Sequence, residues 1–210
     1  MVVCAADEAS QKHEWVALFD GKTLGRWKIT DFSGRGEVKV EGEKIVFEAG
    51  NDLTGVNLTG PVARLDYELA LEAMLVEGSD FFCGLTIPYG EKCCTLVLGG
   101  WGGGTVGLSS INGDDASENE TTQFRKFEKG RWYKVRVRAT AKKIEAWLDD
   151  EQIVDVDTTD KRIAMRAGEI ELSEPLGIAS FRTAAAFRQI RIRPLSAQAA
   201  ALIMTPKAVK

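Results

Sequence analysis

Two glutamates on one predicted strand are the first candidates for catalytic chemistry. Glu68 and Glu72 lie four residues apart in a segment of alternating apolar residues, so both project from the same face of the strand. Their Cα atoms are then about 13 Å apart, at ~3.3 Å per residue. Tilted side chains would bring the carboxyl groups nearer to the ~5 to ~9.5 Å that glycosidases use. We therefore predict a catalytic pair, the alternative being a solvated sheet face with two ordinary acids.

A tryptophan surrounded by glycines is the first candidate for ligand binding. Five glycines flank Trp101 within residues 99–104, which leaves the indole ring with little steric cover. The apolar face of a sugar stacks on such a ring. We predict that Trp101 binds substrate and that Phe82, Thr86 and Thr95, placed on one strand face by alternation, form the floor of the groove. The alternative is a wide loop whose tryptophan turns back into the core.

An acidic loop at residues 112–120 is the candidate metal site. Asp114, Asp115 and Glu118 supply carboxylate oxygens at a density that suits Ca²⁺, although the spacing differs from that of an EF-hand loop. We predict these three residues as ligands of Ca²⁺ and predict no other cofactor. The alternative is a flexible acidic loop without a metal.

Charge and composition exclude several classes of function. The net charge is −4, from 27 basic and 31 acidic residues, which predicts no nucleic-acid partner. The single histidine, His13, lies in the N-terminal tail, so neither a histidine-based zinc site nor a Ser-His-Asp triad is expected. No apolar run reaches the ~18 residues of a membrane span. Lys134, Arg136 and Arg138 share one strand face, where we expect them to pair with nearby acids.

The cysteines predict neither a redox motif nor a zinc site. The four cysteines include no Cys-x-x-Cys pattern. If the turn Pro88-Tyr89-Gly90-Glu91 closes a hairpin, Cys83 and Cys94 fall on one face and Cys93 falls on the other. We predict small buried hydrophobic residues, with a disulfide between Cys83 and Cys94 as the alternative.

Period-two alternation dominates the chain and predicts an all-β sandwich of two antiparallel sheets. A single domain at residues 15–195 is expected between an N-terminal tail (1–14) and a C-terminal tail (196–210). Cys4-Ala5-Ala6 supplies the small residues of a signal-peptide cleavage site, so we expect a secreted or periplasmic protein; an ordinary N-terminus is the alternative. The predicted strands are 67–75, 81–87, 93–98, 105–110, 132–139, 144–148, 152–156, 176–181 and 187–192.

A family resemblance begins in the string Leu18-Phe19-Asp20-Gly21-Lys22-Thr23-Leu24-Gly25-Arg26-Trp27. Asp20-Gly21 signals a tight turn, and Trp27 is expected to be a buried anchor. Further matching segments follow in the same order at residues 66–72, 130–135, 144–150 and 187–192. Together these segments resemble the DUF1080 or 3-keto-disaccharide hydrolase domain family.

The resemblance implies a jelly-roll sandwich of the concanavalin A-like and laminin G-like type, with the sugar on the concave sheet face. It also implies cleavage of a glycosidic bond in an oxidised sugar, with Glu68 and Glu72 as the carboxylates. In the middle of the chain the polar groove residues of the family are replaced: its arginine falls near Pro88, and its glutamate and glutamine fall near Thr95 and Val97. Two functions therefore stay open, a glycoside hydrolase and a non-catalytic carbohydrate-binding or protein-interaction module. The oligomeric state stays open as well.

Overall fold

The computed structural model describes residues 14–204 of the chain. Cys4, His13 and the predicted signal-peptide remnant lie outside the described residues, as does the end of the predicted C-terminal tail. Within the described range the chain forms strands joined by short turns, as the alternation predicts.

Fifteen strands, two short helices and one 3-10 helix make up the described residues. The strands are β1 (Val16–Ala17), β2 (Trp27–Ile29), β3 (Val38–Glu41), β4 (Lys44–Phe47), β5 (Leu53–Leu58), β6 (Tyr67–Glu77), β7 (Cys83–Tyr89), β8 (Lys92–Gly99), β9 (Thr105–Ser109), β10 (Gln123–Phe124), β11 (Trp132–Thr140), β12 (Lys143–Leu148), β13 (Glu151–Asp157), β14 (Gly177–Phe181) and β15 (Ala184–Pro194). The helices are α1 (Gly100–Gly103), the 3-10 helix (Glu169–Ser173) and α2 (Ala197–Met204).

The strands form two antiparallel sheets. The eight-stranded sheet has the order β13-β12-β11-β6-β15-β4-β3, with β1 paired to β15. The seven-stranded sheet has the order β10-β9-β8-β7-β14-β5-β2. The predicted all-β jelly-roll sandwich is therefore confirmed.

The core lies between the inner faces of the two sheets. On β6 of the eight-stranded sheet, Tyr67, Leu69 and Leu71 face inward and are buried. The Tyr67 hydroxyl donates a hydrogen bond of 2.6 Å to the carbonyl of Pro88 on the seven-stranded sheet. Burial raises the pKa of Tyr67 well above its usual range, so this hydroxyl stays a donor across the core.

The opening string forms the turn and the anchor that the sequence predicts. The Asp20 carboxylate accepts hydrogen bonds from the backbone N–H groups of Thr23 at 2.8 Å and Lys22 at 2.7 Å. These bonds hold the pKa of Asp20 below its usual value. Trp27 is 4% exposed, and its indole N–H donates to the carbonyl of Leu18 at 2.9 Å. Asp20 is thus a turn-forming residue.

The cysteines of the hairpin are free. Cys83 and Cys94 are both buried in the core, on the same face as predicted. Cys83 lies opposite Leu98 and Cys94 lies opposite Ile87, so the two thiols are displaced along the hairpin. Burial raises the pKa of each thiol to about 12. The prediction of small buried hydrophobic residues is confirmed, and the alternative disulfide is absent.

The C-terminal helix packs on the sandwich. Ala199 and Ile203 on α2 are buried in the core cluster, so the packed structure continues past the predicted boundary at Leu195. Among residues 14–204, no helix is long and apolar enough to cross a membrane.

Replacing the anchor tests the fold. Trp27→Ala removes a buried indole and its hydrogen bond, so we expect the free energy of unfolding to fall by about 3 to 5 kcal/mol. Trp101→Ala is the matched control, because that ring is 44% exposed, and a change within about 0.5 kcal/mol is expected. Urea unfolding followed by circular dichroism measures both. Equal losses in the two variants would contradict this account of the core.

Candidate functional site

A groove of about 520 Å³ lies on the outer face of the seven-stranded sheet. Thr95 and Val97 of β8 and Ser109 of β9 line it. The alternate residues Leu96 and Leu108 point into the core. The side chains that these strands contribute to the groove are small, so the groove is deep enough for a ligand. The hydroxyl groups of Thr95 and Ser109 lie along its floor.

The glycine-rich loop after β8 presents Trp101 to this groove. Trp101 is 44% exposed and lines the groove, and its backbone is left-handed with φ 48°. Gly102 follows with φ 87°, a conformation that glycine adopts without strain. The prediction that the glycines leave this ring exposed is confirmed.

Asp80 fixes the position of the tryptophan loop. Its Oδ2 accepts a hydrogen bond from the backbone N–H of Gly102 at 3.3 Å, and its Oδ1 accepts one from Phe81 at 2.7 Å. The backbone of Asp80 in turn exchanges two hydrogen bonds with the Thr183 hydroxyl, at 3.1 and 3.2 Å. The Asp80 carboxylate therefore both lines the groove and holds the loop that carries Trp101.

The loop before the 3-10 helix and the first residue of that helix supply further charged residues to the groove. Arg166 lies 5.8 Å from the centre of the Trp101 ring, measured from its guanidinium carbon, and pairs with Asp115 at 2.8 Å. Glu169 also lines the groove and accepts a hydrogen bond from the backbone N–H of Ser33 at 3.1 Å. Both residues are exposed, so a ligand in the groove can reach them.

An aromatic pair completes the lining of the groove, and it corrects one prediction. Phe81 and Phe181 stack with ring centres 5.8 Å apart. Phe82, predicted to form the floor, is 0% exposed and packs in the core on Phe127 at 4.9 Å. The prediction for Phe82 is wrong because β7 begins only at Cys83, and both Phe82 and Cys83 face the core, which breaks the alternation.

The two predicted threonines occupy different positions. Thr95 lines the groove, whereas Thr86 is fully buried beneath the 3-10 helix. The Thr86 hydroxyl lies 3.1 Å from that of Thr95 and 2.7 Å from that of Ser173. Thr86 therefore anchors the covering segment and does not reach a ligand, which corrects its predicted role.

The structure places Glu68 and Glu72 on the outer face of the other sheet. Glu68 is 2% exposed and pairs with Arg136 at 3.1 Å and with Arg193. Glu72 pairs with Arg188 at 2.7 Å. Both carboxylates are thus engaged by arginines, away from the groove. Their catalytic role stays a prediction, and this geometry disfavours it.

These ion pairs belong to a network of tryptophan, arginine and glutamate across the eight-stranded sheet. The Arg136 guanidinium lies 3.6 Å from the centre of the Trp147 ring, and that of Arg193 lies 4.9 Å from the centre of the Trp15 ring. Both arginines contact Glu68 between them. Cation–π contacts of this kind hold guanidinium groups in place. We call this set the arginine–tryptophan network; it gives the face a structural role.

The predicted calcium site does not form. Asp115 is paired with Arg166, and the side-chain amide of Asn119 donates to the backbone carbonyls of Asp114 at 3.1 Å and Asp115 at 2.8 Å. In the part of the chain that the structure describes, no three potential ligands come together around a metal position. The carboxylates of Asp114, Asp115 and Glu118 therefore do not converge on one point, and the Asn119 side chain cross-links the backbone of the loop.

Sequence reasoning missed four charged residues of the groove. Asp52 and Asp80 lie close to the starts of β5 and β7, and Arg166 and Glu169 come from a long loop. A weak signal existed for the two aspartates, because polar residues at strand ends often line binding sites. No local pattern marks Arg166 or Glu169.

A protein-family model decides the relationship of the chain. The model of the 3-keto-alpha-glucoside-1,2-lyase-like domain matches residues 14–193. The chain belongs to this family. It is the family that the sequence motifs indicate, so the predicted resemblance is confirmed. No curated protein matches the chain.

Solved structures resemble this 3-keto-alpha-glucoside-1,2-lyase-like domain in fold. The carbohydrate binding module CBM66 from Bacillus subtilis has a TM-score of 0.55 at 12% identity, covering 80% of this chain and 95% of that one. A structure from work on endo-acting O-glycanases of the human gut microbiota has a TM-score of 0.57 at 12% identity, covering 89% and 100%. The carbohydrate recognition domain of Emp46p has a TM-score of 0.55 at 10% identity, covering 82% and 90%. At identities this low, the comparisons show a shared fold alone.

Charge removal tests the structural role of the arginine–tryptophan network in this lyase-like domain. Glu68→Gln leaves Arg136 and Arg193 without their shared carboxylate, so we expect the free energy of unfolding to fall by about 2 kcal/mol. Glu72→Gln is the matched control, because its ion pair is more exposed and is expected to contribute about 0.5 kcal/mol. Urea unfolding at neutral pH measures both. A larger loss for Glu72→Gln would refute this ranking.

Proposed function

We propose that this protein binds carbohydrate in the groove of the seven-stranded sheet. The observation that carries the proposal is the exposed Trp101 ring, held at the groove by a glycine loop and by Asp80. An indole offers a flat apolar surface to the C–H face of a sugar ring. A sugar stacked there would leave its hydroxyl edges free to meet polar groups of the groove.

The polar groups of the groove suit the edges of a sugar. The carboxylates of Asp80 and Glu169 accept hydrogen bonds from hydroxyl donors, and charge-assisted bonds of this kind are strong. The Ser109 hydroxyl donates to the Asp115 carboxylate and can accept a bond from a ligand, whereas the Thr95 hydroxyl contacts that of Thr86. Sugar sites combine an apolar platform with a few placed polar groups, and the groove contains both.

The relatives support this class of ligand. The family is described by its likeness to a lyase acting on a 3-keto-alpha-glucoside. Two of the structural neighbours are described as a carbohydrate binding module and a carbohydrate recognition domain. The shared sandwich fold therefore supports a sugar as the ligand, and the main support comes from the residues of the groove.

A catalytic role for Asp80 is the second candidate function. The C3 ketone of a 3-keto-glucoside acidifies the hydrogen on C2, which a carboxylate base can remove. The electron pair then forms the C1–C2 double bond, the C1–O bond breaks, and the leaving oxygen takes a proton. Asp80 is favoured because it is fixed beside Trp101 and has no ion-pair partner among the described residues.

A secreted or periplasmic location is part of the proposal. A protein that binds glycans from the surroundings must meet them outside the cytoplasm. Fractionation of the native cells, with immunodetection of the protein, tests this location directly.

Loss of the platform ring tests carbohydrate binding. Neutral disaccharides and their 3-keto forms are titrated by calorimetry against wild type, Trp101→Ala and the control Trp132→Ala, whose ring lies on the other sheet. We expect Trp101→Ala to weaken binding by about tenfold or more, which is ~1.4 kcal/mol, because the stacking surface is lost. Binding unchanged in Trp101→Ala, or reduced equally in Trp132→Ala, contradicts the proposed site.

Turnover separates the two candidates. Wild type and Asp80→Asn are incubated with p-nitrophenyl 3-keto-α-glucoside, and nitrophenol release is followed by absorbance. A catalytic Asp80 predicts release by wild type and a loss of about 100-fold or more in Asp80→Asn. Binding without release by wild type would leave a carbohydrate-binding module and remove the catalytic candidate.

A further inference from the structure

The charged residues of the groove indicate which sugars it can bind, an inference that rests on the proposed function. Three carboxylates line the groove, those of Asp52, Asp80 and Glu169. Arg166 is the single cationic residue among the lining residues that the structure describes. The electrostatic character of the site depends on which of these charges are already neutralised by neighbours.

Two of the charges are neutralised within the protein. Arg166 pairs with Asp115 at 2.8 Å, so a neighbouring carboxylate offsets its positive charge. Asp52 pairs with Arg182 at 2.7 Å through Nη2, and the Arg182 Nε donates to the same oxygen at 3.0 Å. Each pair brings together one acid and one base, and neither pair leaves a net charge at the groove.

Asp80 and Glu169 carry the charge that remains. Their carboxylates accept backbone N–H bonds from Phe81 and Gly102, and from Ser33. Neither has an arginine or lysine nitrogen within ion-pair distance in the described part of the chain. Backbone N–H groups orient a carboxylate but supply only partial charges. The groove therefore has a negative field with no compensating cation.

We propose that this groove accepts neutral and amino sugars and excludes acidic sugars. Hydroxyl and ammonium groups donate hydrogen bonds to Asp80 and Glu169, and an ammonium group adds charge attraction. A uronate or sulfated sugar brings a second anion against these carboxylates, and like-charge contacts of this kind discriminate between ligands. The carboxylates thus select by repulsion as well as by hydrogen bonding.

Three matched monosaccharides test the inference. The sugars are methyl α-glucoside, its 2-amino-2-deoxy analogue (the glucosaminide) and its 6-carboxylate analogue (the glucuronide). Each analogue keeps the ring of the glucoside and differs from it at one carbon, C2 or C6. Their dissociation constants are measured by NMR titration at low and high salt. We expect the glucosaminide to bind about tenfold or more tightly than the glucuronide at low salt, and this ratio to shrink as salt screens the charges. The neutral glucoside should lie between them.

Different outcomes would overturn the charge selectivity and the sugar-binding function. Binding of all three sugars with equal affinity, or tighter binding of the glucuronide, overturns the selectivity and leaves the sugar-binding function in place. Failure of all three to bind overturns both. Tightest binding of the glucosaminide together with a salt-dependent ratio supports the inference.

Matched variants assign the effect to the groove. Glu169→Gln removes one of the two free negative charges and should reduce the ratio of glucosaminide affinity to glucuronide affinity by about threefold. Asp80→Asn is the second variant and should lower this affinity ratio as well. Glu171→Gln is the control, because Glu171 is an exposed acid of the same 3-10 helix outside the groove lining. An equal reduction in Glu171→Gln would show a general charge effect and overturn the assignment.

Discussion

The groove depends on the hydrogen bonds that join the hydroxyls of Ser173, Thr86 and Thr95 beneath the 3-10 helix. The Thr86–Ser173 contact at 2.7 Å fixes the long loop after β13 to the outer face of the seven-stranded sheet, and the Thr86–Thr95 contact at 3.1 Å joins two neighbouring strands of that sheet. Buried hydroxyl groups require partners, and each of these three has another hydroxyl of the set within hydrogen-bond distance. The backbone of Ala164 also exchanges two hydrogen bonds with Ser110, so the segment that carries Arg166 and Glu169 is fixed to the sheet on both sides of the groove lining. The placement of the site therefore depends on polar contacts outside the main core.

The outer faces of the two sheets differ in the side chains that they carry. The outer face of the eight-stranded sheet is covered by ion pairs and by arginines over tryptophans, and its buried carboxylate Glu68 is shared by two guanidinium groups. The outer face of the seven-stranded sheet instead carries small side chains and an exposed ring. The Asp80 carboxylate belongs to both the loop and the groove, because it accepts a hydrogen bond from Gly102 and lines the cavity. Charge on one face serves stability, and on the other face it is available for recognition.

Much of the fold is predictable from local patterns, and much of the site is not. Alternation locates β6 to β9 and β11 to β15, the Asp20-Gly21 turn and the buried Trp27 follow from residue type, and the glycines around Trp101 predict its exposure. The partners of Glu68 lie 68 and 125 residues away in sequence, and pairing over such distances is set by sheet order. Arg166 and Asp115 meet in the same way through two loops. The prediction that Phe82 lines the groove is wrong because a break in alternation turns its side chain into the core. The same prediction for Thr86 is wrong because a loop covers its side chain.

The proposed sugar site lies on the seven-stranded sheet beside Trp101. Amide chemical-shift mapping during titration with methyl α-glucoside tests it most directly, because each sheet reports through its own backbone signals. We expect the largest shifts at residues 99–104 and 166–170 and small changes along β11 and β12. Largest shifts at Trp132, Arg136 and Trp147, on the eight-stranded sheet, would contradict it.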